Sequence, residues 1–343
     1  MQESCLNINL VRSLSETTWR RFVEEHPEGN IFHTPEIYQV FQRTKGFLPE
    51  LWATTDTDDN ILALLLPVRV ELGSGLTRFF TTRAIVYGSV LYDHSPVGEE
   101  ALAVLLDAYV HTVDRDVLFT ELRNQSDLSR IQATLNSYQF IYEDHLNYRI
   151  DLNRSLDELI SGMGRRTRKH IRRGLRRGEV VIEEARRPDQ ISQCYEILRQ
   201  TYSLAQVPLA DGSLFEATFN VLYPLGMVKF LLAMIDGTCV AASVELLYKE
   251  VIYGWYGGTN REYTPYSPNE LLIWNILQWG AENGYRVYDF GGAGKPDEPY
   301  GVRNFKAKFG GELVSYGRNT CYHAPRRLTI SKIGYQIYRR FKN

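Results

Sequence analysis

The sequence predicts an α/β protein with mixed sheets, in which one order of elements occurs twice. Two strand–turn–strand patterns are present, one at 51–70 and one at 228–248. Asp236 and Gly237, at the centre of the second pattern, are a strong hairpin signal because both tolerate the left-handed backbone of a two-residue turn. Each pattern is followed by a strand, a helix and a further strand, at nearly equal spacing in the two halves. An α/β unit and its duplicate account for this order.

The first half is predicted to be a domain at 1–152. Ser15 and Thr18 are residue types that cap the N-terminus of a helix. The predicted elements, in order, are a strand at 6–11, a helix at 15–25, the hairpin at 51–70, a strand at 85–92, a helix at 99–113 and a strand at 117–122.

The second half is predicted to be a domain at 153–343. Its first helix begins at Ser155, and Glu158 follows at the spacing of a capping box. Its other elements are a basic helix at 164–177, the hairpin at 228–248, a strand at 251–258, a helix at 269–283, a strand at 286–290 and an amphipathic helix at 328–343. No linker rich in Pro, Gly or Ser separates the halves, so we expect close packing with a cleft between them.

Composition places the chain among globular cytoplasmic proteins. It has 343 residues, 44% of them hydrophobic and 23% charged, with a net charge of −2. These values fit two domains of ordinary size and predict no global attraction to nucleic acid. The longest apolar run, 61–68, is too short to cross a bilayer, and the N-terminus lacks the pattern of a secretory signal. The four cysteines are far apart, as expected for reduced thiols.

Motifs for metal and serine chemistry are missing from the sequence. The cysteines and the seven histidines show no metal-ligand spacing, and no GxSxG is present. We therefore expect no bound metal, no cofactor and no serine-hydrolase activity.

Positive charge is concentrated in the helix at 164–177, which contains eight Lys or Arg and no acid. Repulsion makes such a run costly unless an anion binds to it. One helical face carries four cations and a narrow inward stripe carries three other side chains: Arg165, Lys169, Arg172 and Arg176, and Thr167, Ile171 and Leu175. A solvated helix face usually mixes both signs, so we favour a polyanion partner, phosphate or an RNA backbone, over plain solvation.

Two segments rich in glycine and aromatic residues are candidates for a binding site. The strand 251–260, VIYGWYGGTN, suits either a core strand with its exit turn or a ligand cleft lined by Tyr253 and Trp255. In 288–292, YDFGG, an apolar strand ends in an acid and two glycines, which let a ligand approach the backbone closely.

The segment 302–311, VRNFKAKFGG, places two lysines between two phenylalanines. If it is extended, Lys306 and Lys308 point to opposite sides, so that one faces a cleft and the other faces water. The alternative interpretation is a glycine-rich turn before an edge strand, with both lysines in solvent.

The helix at 328–343 is amphipathic. Its apolar face carries Ile330, Ile333, Ile337 and Phe341, and its basic residues lie elsewhere. Two interpretations stay open: the helix docks on its own domain, or it makes a weak contact with a membrane surface.

Together these segments resemble the FemAB/FemX family of non-ribosomal aminoacyltransferases, which have a duplicated GNAT-like fold. The resemblance is carried by 164–181, 253–258, 269–284, 288–292, Phe305–Lys306 and Phe309–Gly310. It implies two tandem GNAT-like domains with a cleft between them and no coiled-coil arm, since the helical-hairpin arm of the longer members is absent. It also implies transfer of an amino acid from aminoacyl-tRNA to an amine of a peptidoglycan stem peptide.

The resemblance implies that Lys306, which matches the lysine of the family's Phe-Lys motif, is the catalytic cation that stabilises a tetrahedral oxyanion. We expect Asp289 and Tyr256 to position the amine or to relay its proton. The expected substrate-binding residues are Arg165, Arg168, Lys169, Arg172, Tyr253, Trp255, Arg303, Phe305 and Lys308.

Aminoacyl-tRNA is the expected donor. In GNAT enzymes a glycine-rich turn between strand and helix cradles the pyrophosphate of coenzyme A, whereas 261–266 here reads REYTPY. Its bulky side chains would keep phosphates away from the backbone N–H groups. Two alternatives stay open: an acyl-CoA-dependent N-acyltransferase of envelope or exopolysaccharide biosynthesis, and a non-catalytic RNA- or envelope-binding module.

The expected acceptor is an amine-bearing precursor of the cell envelope. Compact members of the family grip a sugar-nucleotide diphosphate with basic residues, but the matching regions here, YQVF at 38–41 and LAQVP at 204–208, contain none. The acceptor is therefore open between a soluble sugar-nucleotide peptide and a lipid-linked precursor, which a basic tail at a membrane surface would suit.

Overall fold

The computed structural model describes residues 8–71 and 75–342, with the backbone alone at 76, 332 and 335–342. These residues form two compact units. One unit comprises the described residues up to Asp144 together with those from Tyr316 onward. The other runs from His145 to Ser315 and is called the central unit below.

Both units contain strands and α-helices. The strands are β1 (Asn9–Val11), β2 (Phe47–Pro49), β3 (Trp52–Thr55), β4 (Ile61–Leu65), β5 (Val68–Val70), β6 (Arg83–Val86), β7 (Leu91–Tyr92), β8 (Phe119–Arg123), β9 (Ile141–Glu143), β10 (Leu146–Asp151), β11 (Val181–Glu184), β12 (Val228–Ile235), β13 (Thr238–Tyr248), β14 (Val251–Thr259), β15 (Val287–Gly292), β16 (Glu312–Ser315) and β17 (Arg318–Tyr322). The α-helices are α1 (Glu16–Glu25), α2 (Pro35–Gln42), α3 (Pro96–Thr112), α4 (Gln132–Ser137), α5 (Leu156–Gly162), α6 (Arg165–Arg177), α7 (Pro188–Leu204), α8 (Gly212–Leu222), α9 (Pro268–Glu282), α10 (Gly301–Ala307) and α11 (Pro325–Lys342).

The first unit has two sheets, with strand orders β1-β3-β4-β7 and β2-β5-β6-β8-β17-β9. The Ser95 hydroxyl accepts a hydrogen bond from the first turn of α3 and so fixes where this helix begins. β6 and β8 are parallel, since α3 carries the chain back between them. Leu102, Leu105 and Tyr109 of α3 are buried with Trp52 in one apolar core.

The central unit has one seven-stranded sheet, of order β11-β12-β13-β14-β15-β10-β16. β14 and β15 are parallel and the other neighbouring strands are antiparallel. Pro268 occupies the first turn of α9, where its fixed backbone angle favours the start of a helix. Leu272, Ile276 and Leu277 of α9 are buried with Ile252 and with other core residues of the sheet.

The predicted α/β architecture with mixed sheets is confirmed, and so is its repetition. In each unit an antiparallel hairpin precedes a strand, a helix and a second strand parallel to the first. The pairs are β6 and β8 around α3, and β14 and β15 around α9.

The division of the chain into these two units differs from the predicted domain boundary between residues 152 and 153. The strand β10, which the sequence assigns to the first half, pairs with β15 and β16 of the central unit. The strand β17, assigned to the second half, pairs with β8 and β9 of the first unit. An apolar pattern identifies a strand but does not name its partners, so this exchange carries no signal in the sequence.

The C-terminal helix α11 docks on its own unit through its first turns. Arg327 donates hydrogen bonds to the carbonyls of Phe79 and Arg115, and Ser331 donates one to the carbonyl of Phe80. Ile330 and Ile333 are exposed, so this docking leaves the predicted apolar face uncovered there. Ile337 and Phe341 lie outside the described side chains. Among the described residues, no helix combines the length and apolarity that a membrane span requires.

Candidate active site

A cavity of about 480 Å³ opens in the central unit between β14 and β15. Its walls are mainly aromatic side chains and glycines, together with one acid and one lysine. The lining residues include Tyr253 to Thr259 on β14, Tyr288 and Phe290 to Gly292 on β15, Thr201 and Tyr202 on α7, Ser243 and Glu245 on β13, Asn269, Leu272 and Ile273 on α9, and Phe305 and Lys306 on α10.

The cavity exists because two parallel strands separate. β14 and β15 pair only from Val251 to Tyr253, opposite Val287 to Asp289. A bulge in β14 follows at once, since Glu245 of β13 pairs with Gly254 and the preceding Val244 pairs with Tyr256. The extra residue, Trp255, therefore lines the cavity beside Tyr256.

Two glycines in the cavity lining allow tyrosine hydroxyls to lie against the backbone. A Cβ atom at Gly254 would lie 2.6 Å from the Tyr288 hydroxyl, and one at Gly291 would lie 2.8 Å from the Tyr253 hydroxyl. Gly291 also has a left-handed backbone, with φ of 66°. A side chain at either position would push a tyrosine out of place.

Lys306 of α10 holds the end of β15. Its Nζ donates to the carbonyl oxygens of Phe290 at 2.6 Å, Gly291 at 3.2 Å and Gly292 at 2.7 Å. An ammonium group has three N–H donors, so all of them are engaged. Burial lowers the pKa of Lys306 to about 8, and the negative charge of Asp289 offsets part of this decrease.

The segment that carries Lys306 is a helix, so the extended form considered for it in the sequence analysis does not apply. Residues 301–307 form α10, in which Lys306 lines the cavity and Lys308, just after the helix, is exposed. Two residues along a helix are about 200° apart, so the two lysines still face different sides. The Lys308 Nζ lies 5.6 Å from the centre of the Phe305 ring and outside the cavity lining.

Asp289 of β15 is buried. Its Oδ1 accepts a hydrogen bond from the backbone N–H of Gly291 at 2.7 Å, and its Oδ2 lies 3.8 Å from Nε of Arg149. Burial raises its pKa, while the bond from Gly291 and the charges of Arg149 and Lys306 act in the opposite direction. Its contacts stabilise the turn at Gly291 and compensate the charge of Lys306, and it does not line the cavity.

Glu245 is the carboxyl group inside the cavity, and the sequence analysis missed it. Only 1% of its surface is exposed, and its Oε2 accepts a hydrogen bond from the Tyr288 hydroxyl at 3.1 Å. Burial raises the pKa of Glu245 to about 7, against the effect of that hydrogen bond. The available signal is one acid within the largely apolar segment 240–248, a position where an unpaired charge is costly.

The predicted aromatic residues do meet in this cavity. Tyr253, Trp255, Tyr256 and Phe305 all contribute to its lining. The Tyr256 ring packs on Phe215, Trp255 and Tyr202, with ring centres 4.9, 5.1 and 5.8 Å apart respectively. Burial raises the pKa of Tyr202 to about 12, so its hydroxyl stays protonated at neutral pH. Tyr256 is therefore held in one orientation against an apolar wall.

Arg303 binds backbone carbonyls and does not line the cavity. Its guanidinium donates to the carbonyls of Ala293 at 2.9 Å, Pro296 at 3.0 Å and Glu298 at 3.1 Å, and also to that of Lys295. It is absent from the cavity lining. These bonds hold the loop at 293–298 beside α10, which makes Arg303 a support for the segment of Lys306.

The basic helix α6 packs on α9 by a different stripe from the predicted one. Thr167, Ile171 and Gly174 are buried, whereas Leu175 is 58% exposed, so its predicted inward position is wrong. A Cβ at Gly174 would lie 2.8 Å from a side-chain carbon of Leu271, so a larger residue there would not fit between α6 and α9.

The predicted binding residues of α6 lie outside the cavity of Glu245 and Lys306. Arg165, Lys169 and Arg172 are exposed, and Arg168 donates a hydrogen bond to the carbonyl of Ser161.

The 3₁₀ turn Arg261–Tyr266 precedes α9 and has no glycine. No cluster of potential metal ligands occurs among the residues whose positions are described.

Comparison with known proteins identifies the fold. Residues 162–306 match the family described as "Acetyltransferase (GNAT) domain". No curated protein sequence matches the chain significantly. The structure is similar to that of FemX, with a TM-score of 0.71 and 15% identity over 94% of this chain and 100% of that chain.

Two further solved structures share the architecture. L-PGS from Bacillus licheniformis has a TM-score of 0.58 and 14% identity, over 94% of this chain and 96% of that chain. A tandem GNAT protein from the clavulanic acid biosynthesis pathway has a TM-score of 0.57 and 10% identity, over 93% and 99%. At identities this low, the structural similarity establishes a common fold alone. The substrate has to be inferred from the chemistry of the site.

Proposed function

Since the chain has a FemX-like tandem GNAT fold, we propose that it is an aminoacyltransferase, which moves an amino acid from aminoacyl-tRNA to an amine of a cell-envelope precursor. The observation that carries this proposal is that Lys306 and Glu245 both line one cavity. A cation and a carboxyl group whose pKa lies near neutrality are what amine attack on an ester needs.

In the proposed reaction, the amine nitrogen attacks the ester carbonyl carbon and a C–N bond forms. The carbonyl oxygen becomes an oxyanion, which the Lys306 ammonium stabilises. Its longest bond, 3.2 Å to the Gly291 carbonyl, is the one that an oxyanion would replace. The C–O bond to the ribose then breaks, and the ribose oxygen leaves with the electron pair and takes up a proton.

Glu245 is the proposed proton acceptor. As a carboxylate it removes the proton that the amine nitrogen loses on forming the C–N bond, and as a carboxylic acid it returns that proton to the ribose oxygen. The Tyr288 hydroxyl, 3.1 Å away, orients one carboxyl oxygen. The Ser243 side chain also interacts with this carboxyl group and favours its charged form. Tyr256 and the neighbouring aromatic rings form the wall against which the transferred side chain lies.

A second candidate donor is an acyl-CoA, because residues 162–306 match a GNAT acetyltransferase domain. Against it stands the turn Arg261–Tyr266, which contains two tyrosines and a proline and no glycine run. A non-catalytic RNA- or envelope-binding module needs only α6. Such a module would give no chemical role to the buried Glu245, whose burial costs desolvation energy. The Lys306 ammonium would then serve only to hold the end of β15.

Binding and transfer assays separate these candidates. The protein is incubated with charged tRNA and, separately, with acetyl-CoA, and binding is measured at two salt concentrations. Contact with about four phosphates predicts that tRNA affinity falls about 100-fold between about 50 and 200 mM salt. Tight binding of acetyl-CoA without binding of tRNA would reverse the order of the two donors, and binding of tRNA without transfer to any amine would leave the non-catalytic module.

The proposed acceptor is an amine on a cell-envelope precursor built at the cytosolic side of the membrane. The acceptor is tested directly. Peptides with a free lysine or diamino-acid side chain, with and without a lipid-linked sugar diphosphate, are offered together with charged tRNA. Preference for the lipid-linked form is the expected result, since YQVF at 38–41 and LAQVP at 204–208 supply no basic grip for a soluble diphosphate.

A further inference from the structure

The first unit carries two adjacent phenylalanines that its core does not fully cover. They are Phe79 and Phe80, at the end of the 3₁₀ helix Gly75–Phe80, and they are 42% and 36% exposed. Burial of an aromatic side chain removes a large apolar area from water, so most such side chains are packed inside. Two of them side by side at the surface indicate a place where the protein contacts something apolar.

The helix α11 lies directly beside these phenylalanines. Arg327 donates a hydrogen bond to the carbonyl of the first at 3.4 Å, and Ser331 donates one to the carbonyl of the second at 2.6 Å. Ile330 precedes Ser331 in the helix and shares a helical face with Ile333, and both isoleucines are exposed. The fold thus brings together four exposed apolar side chains, called the apolar patch here: Phe79, Phe80, Ile330 and Ile333.

The charge that α11 brings to this surface is positive. Residues 324–343 contain six Lys or Arg and no acid. The acids beside the 3₁₀ helix are already paired: Arg78 lies 3.3 Å from Glu71 and 3.2 Å from Asp116, and Asp114 pairs with another arginine. The segment of α11 therefore adds basic charge without an acid of its own to offset it.

We propose that the apolar patch is a membrane-docking surface, at which the two phenylalanines and two isoleucines enter the interface of an anionic bilayer. The basic residues of α11 then interact with the lipid headgroups. Exposed Phe and Ile next to Lys and Arg, with no acid between them, is the combination that holds a helix at such an interface. The 3₁₀ helix adds the aromatic side chains, which α11 alone does not supply in its described part.

A second copy of this chain fits the same surface less well than a bilayer does. In a two-fold symmetric dimer the same patch faces itself across the interface. That arrangement would set the basic residues of two α11 helices against each other. Anionic headgroups offset this charge instead of doubling it, so the charge favours the bilayer.

The test measures binding of the full chain to vesicles of phosphatidylglycerol and phosphatidylcholine by co-sedimentation. Phe79→Ser with Phe80→Ser removes the aromatic part of the patch and keeps every basic residue. Leu10→Ser with Leu225→Ser is the matched control, because these leucines are 42% and 58% exposed and lie outside the patch. We expect the first pair to weaken binding at least about 10-fold, since two aromatic side chains no longer leave water, and the control pair to stay within about two-fold of the wild type.

A second variant tests the patch without removing apolar area. Phe80→Trp keeps an aromatic side chain at this position, and its fluorescence reports whether the side chain leaves water. We expect anionic vesicles to shift the emission of this variant to shorter wavelength by more than they shift that of the wild type, whose five tryptophans lie outside the patch. This measurement decides the question even if circular dichroism shows that the serine pair is unfolded.

Three results would overturn the proposal. One is binding of the wild-type chain to anionic vesicles that is no stronger than its binding to phosphatidylcholine alone. Another is an equal loss of binding in the two serine pairs, or an unchanged emission of Phe80→Trp in the presence of vesicles. The third is a dimer in analytical ultracentrifugation that the Phe79 and Phe80 substitutions abolish, which would assign the patch to a second copy. These measurements use neither donor nor acceptor, so they stand or fall independently of the proposed function.

Discussion

Lys306 has two roles to separate, since it holds three backbone carbonyls and carries the charge proposed for catalysis. We predict that Lys306→Met lowers the rate of aminoacyl transfer by about 100- to 1000-fold, as for loss of one donor to an oxyanion. Single-turnover transfer from charged tRNA measures this rate. Lys308→Met is the matched control, because Lys308 lies outside the cavity, and its rate stays near that of the wild type.

Thermal unfolding is measured on the same two variants. A folded Lys306→Met protein with near-wild-type turnover would show that the ammonium serves the turn at Gly291 alone. A loss of transfer without a loss of folding assigns the effect to chemistry.

The pH dependence of kcat/KM tests Glu245. A base must be deprotonated, so activity rises with pH through the pKa of Glu245, about 7. A catalytic ammonium must be protonated, so activity falls above the pKa of Lys306, about 8. We therefore predict a bell-shaped profile with its maximum between these values. The groups that face this pair are Tyr288, bonded to Glu245, and Asp289, near Lys306.

Glu245→Gln keeps the shape of the side chain and removes the base. We expect it to lose the acidic limb of the profile and to retain the alkaline one. Persistence of the acidic limb in this variant would move the proton acceptor elsewhere. Asp289→Asn is the comparison, because Asp289 stabilises the turn and does not line the cavity, so its effect falls on stability more than on the shape of the profile.

The residues of this site differ in how far the sequence could predict them. Lys306 stands in a short motif, and the aromatic residues of β14 stand in a segment of unusual composition, so the sequence is enough to make both candidates. Glu245 belongs to no motif, and it becomes notable only when β13 places it in a cavity. Arg303 was misjudged because the sequence shows its charge and not the four carbonyls that engage it.

The end of β15 is an element whose geometry depends on one glycine. We predict that Gly291→Ala destabilises the protein by more than the roughly 1 kcal/mol expected for a left-handed backbone, because its Cβ meets the Tyr253 hydroxyl. Gly284→Ala is the matched control. Its φ of 81° carries the same backbone penalty, and nothing lies within 4 Å of the added Cβ.

Urea unfolding measures both variants, and transfer assays measure the site. Only Gly291→Ala should also lower activity, since only this change displaces a side chain of the cavity. Equal losses of stability in the two variants would show that Tyr253 moves aside freely.

Helices were predicted better than the contacts they make. The bounds of α6 and α9 follow the charge and apolar patterns closely. The buried stripe of α6 was misplaced at Leu175, because hydrophobicity predicts which residues prefer burial and not where two helices approach most closely. The third buried residue of α6 is Gly174, which has no side chain to separate the helix from Leu271 of α9.

For the whole molecule, the uncovered face of α11 predicts contact with a membrane surface. Ile330 and Ile333 are 57% and 50% exposed, and basic residues follow them in the chain. We predict that deleting residues 332–343 weakens sedimentation with anionic liposomes, because each basic residue near such a surface contributes about 1 kcal/mol. Neutral liposomes are the control, and equal sedimentation of both proteins would leave α11 a docking helix.

The repeated architecture was predictable at this scale because the same order of elements occurs twice in the sequence. The resemblance to FemAB/FemX proteins is confirmed at the level of the fold by the similarity to FemX. The exchange of β10 and β17 was not predictable, since strand pairing between distant segments depends on the assembled sheets.

That exchange has a consequence for biosynthesis. The central unit is one continuous stretch of chain, whereas the sheet of the first unit lacks β17 until residues 318–322 have been synthesised. Arg318 and its partner Glu121 are 197 residues apart. Domains generally fold as they leave the ribosome, N-terminal part first, and long-range strand pairing is slow. The central unit, although it is translated later, can therefore complete its sheet before the first unit does. Until β17 has been synthesised, β8 and β9 each keep an unpaired edge.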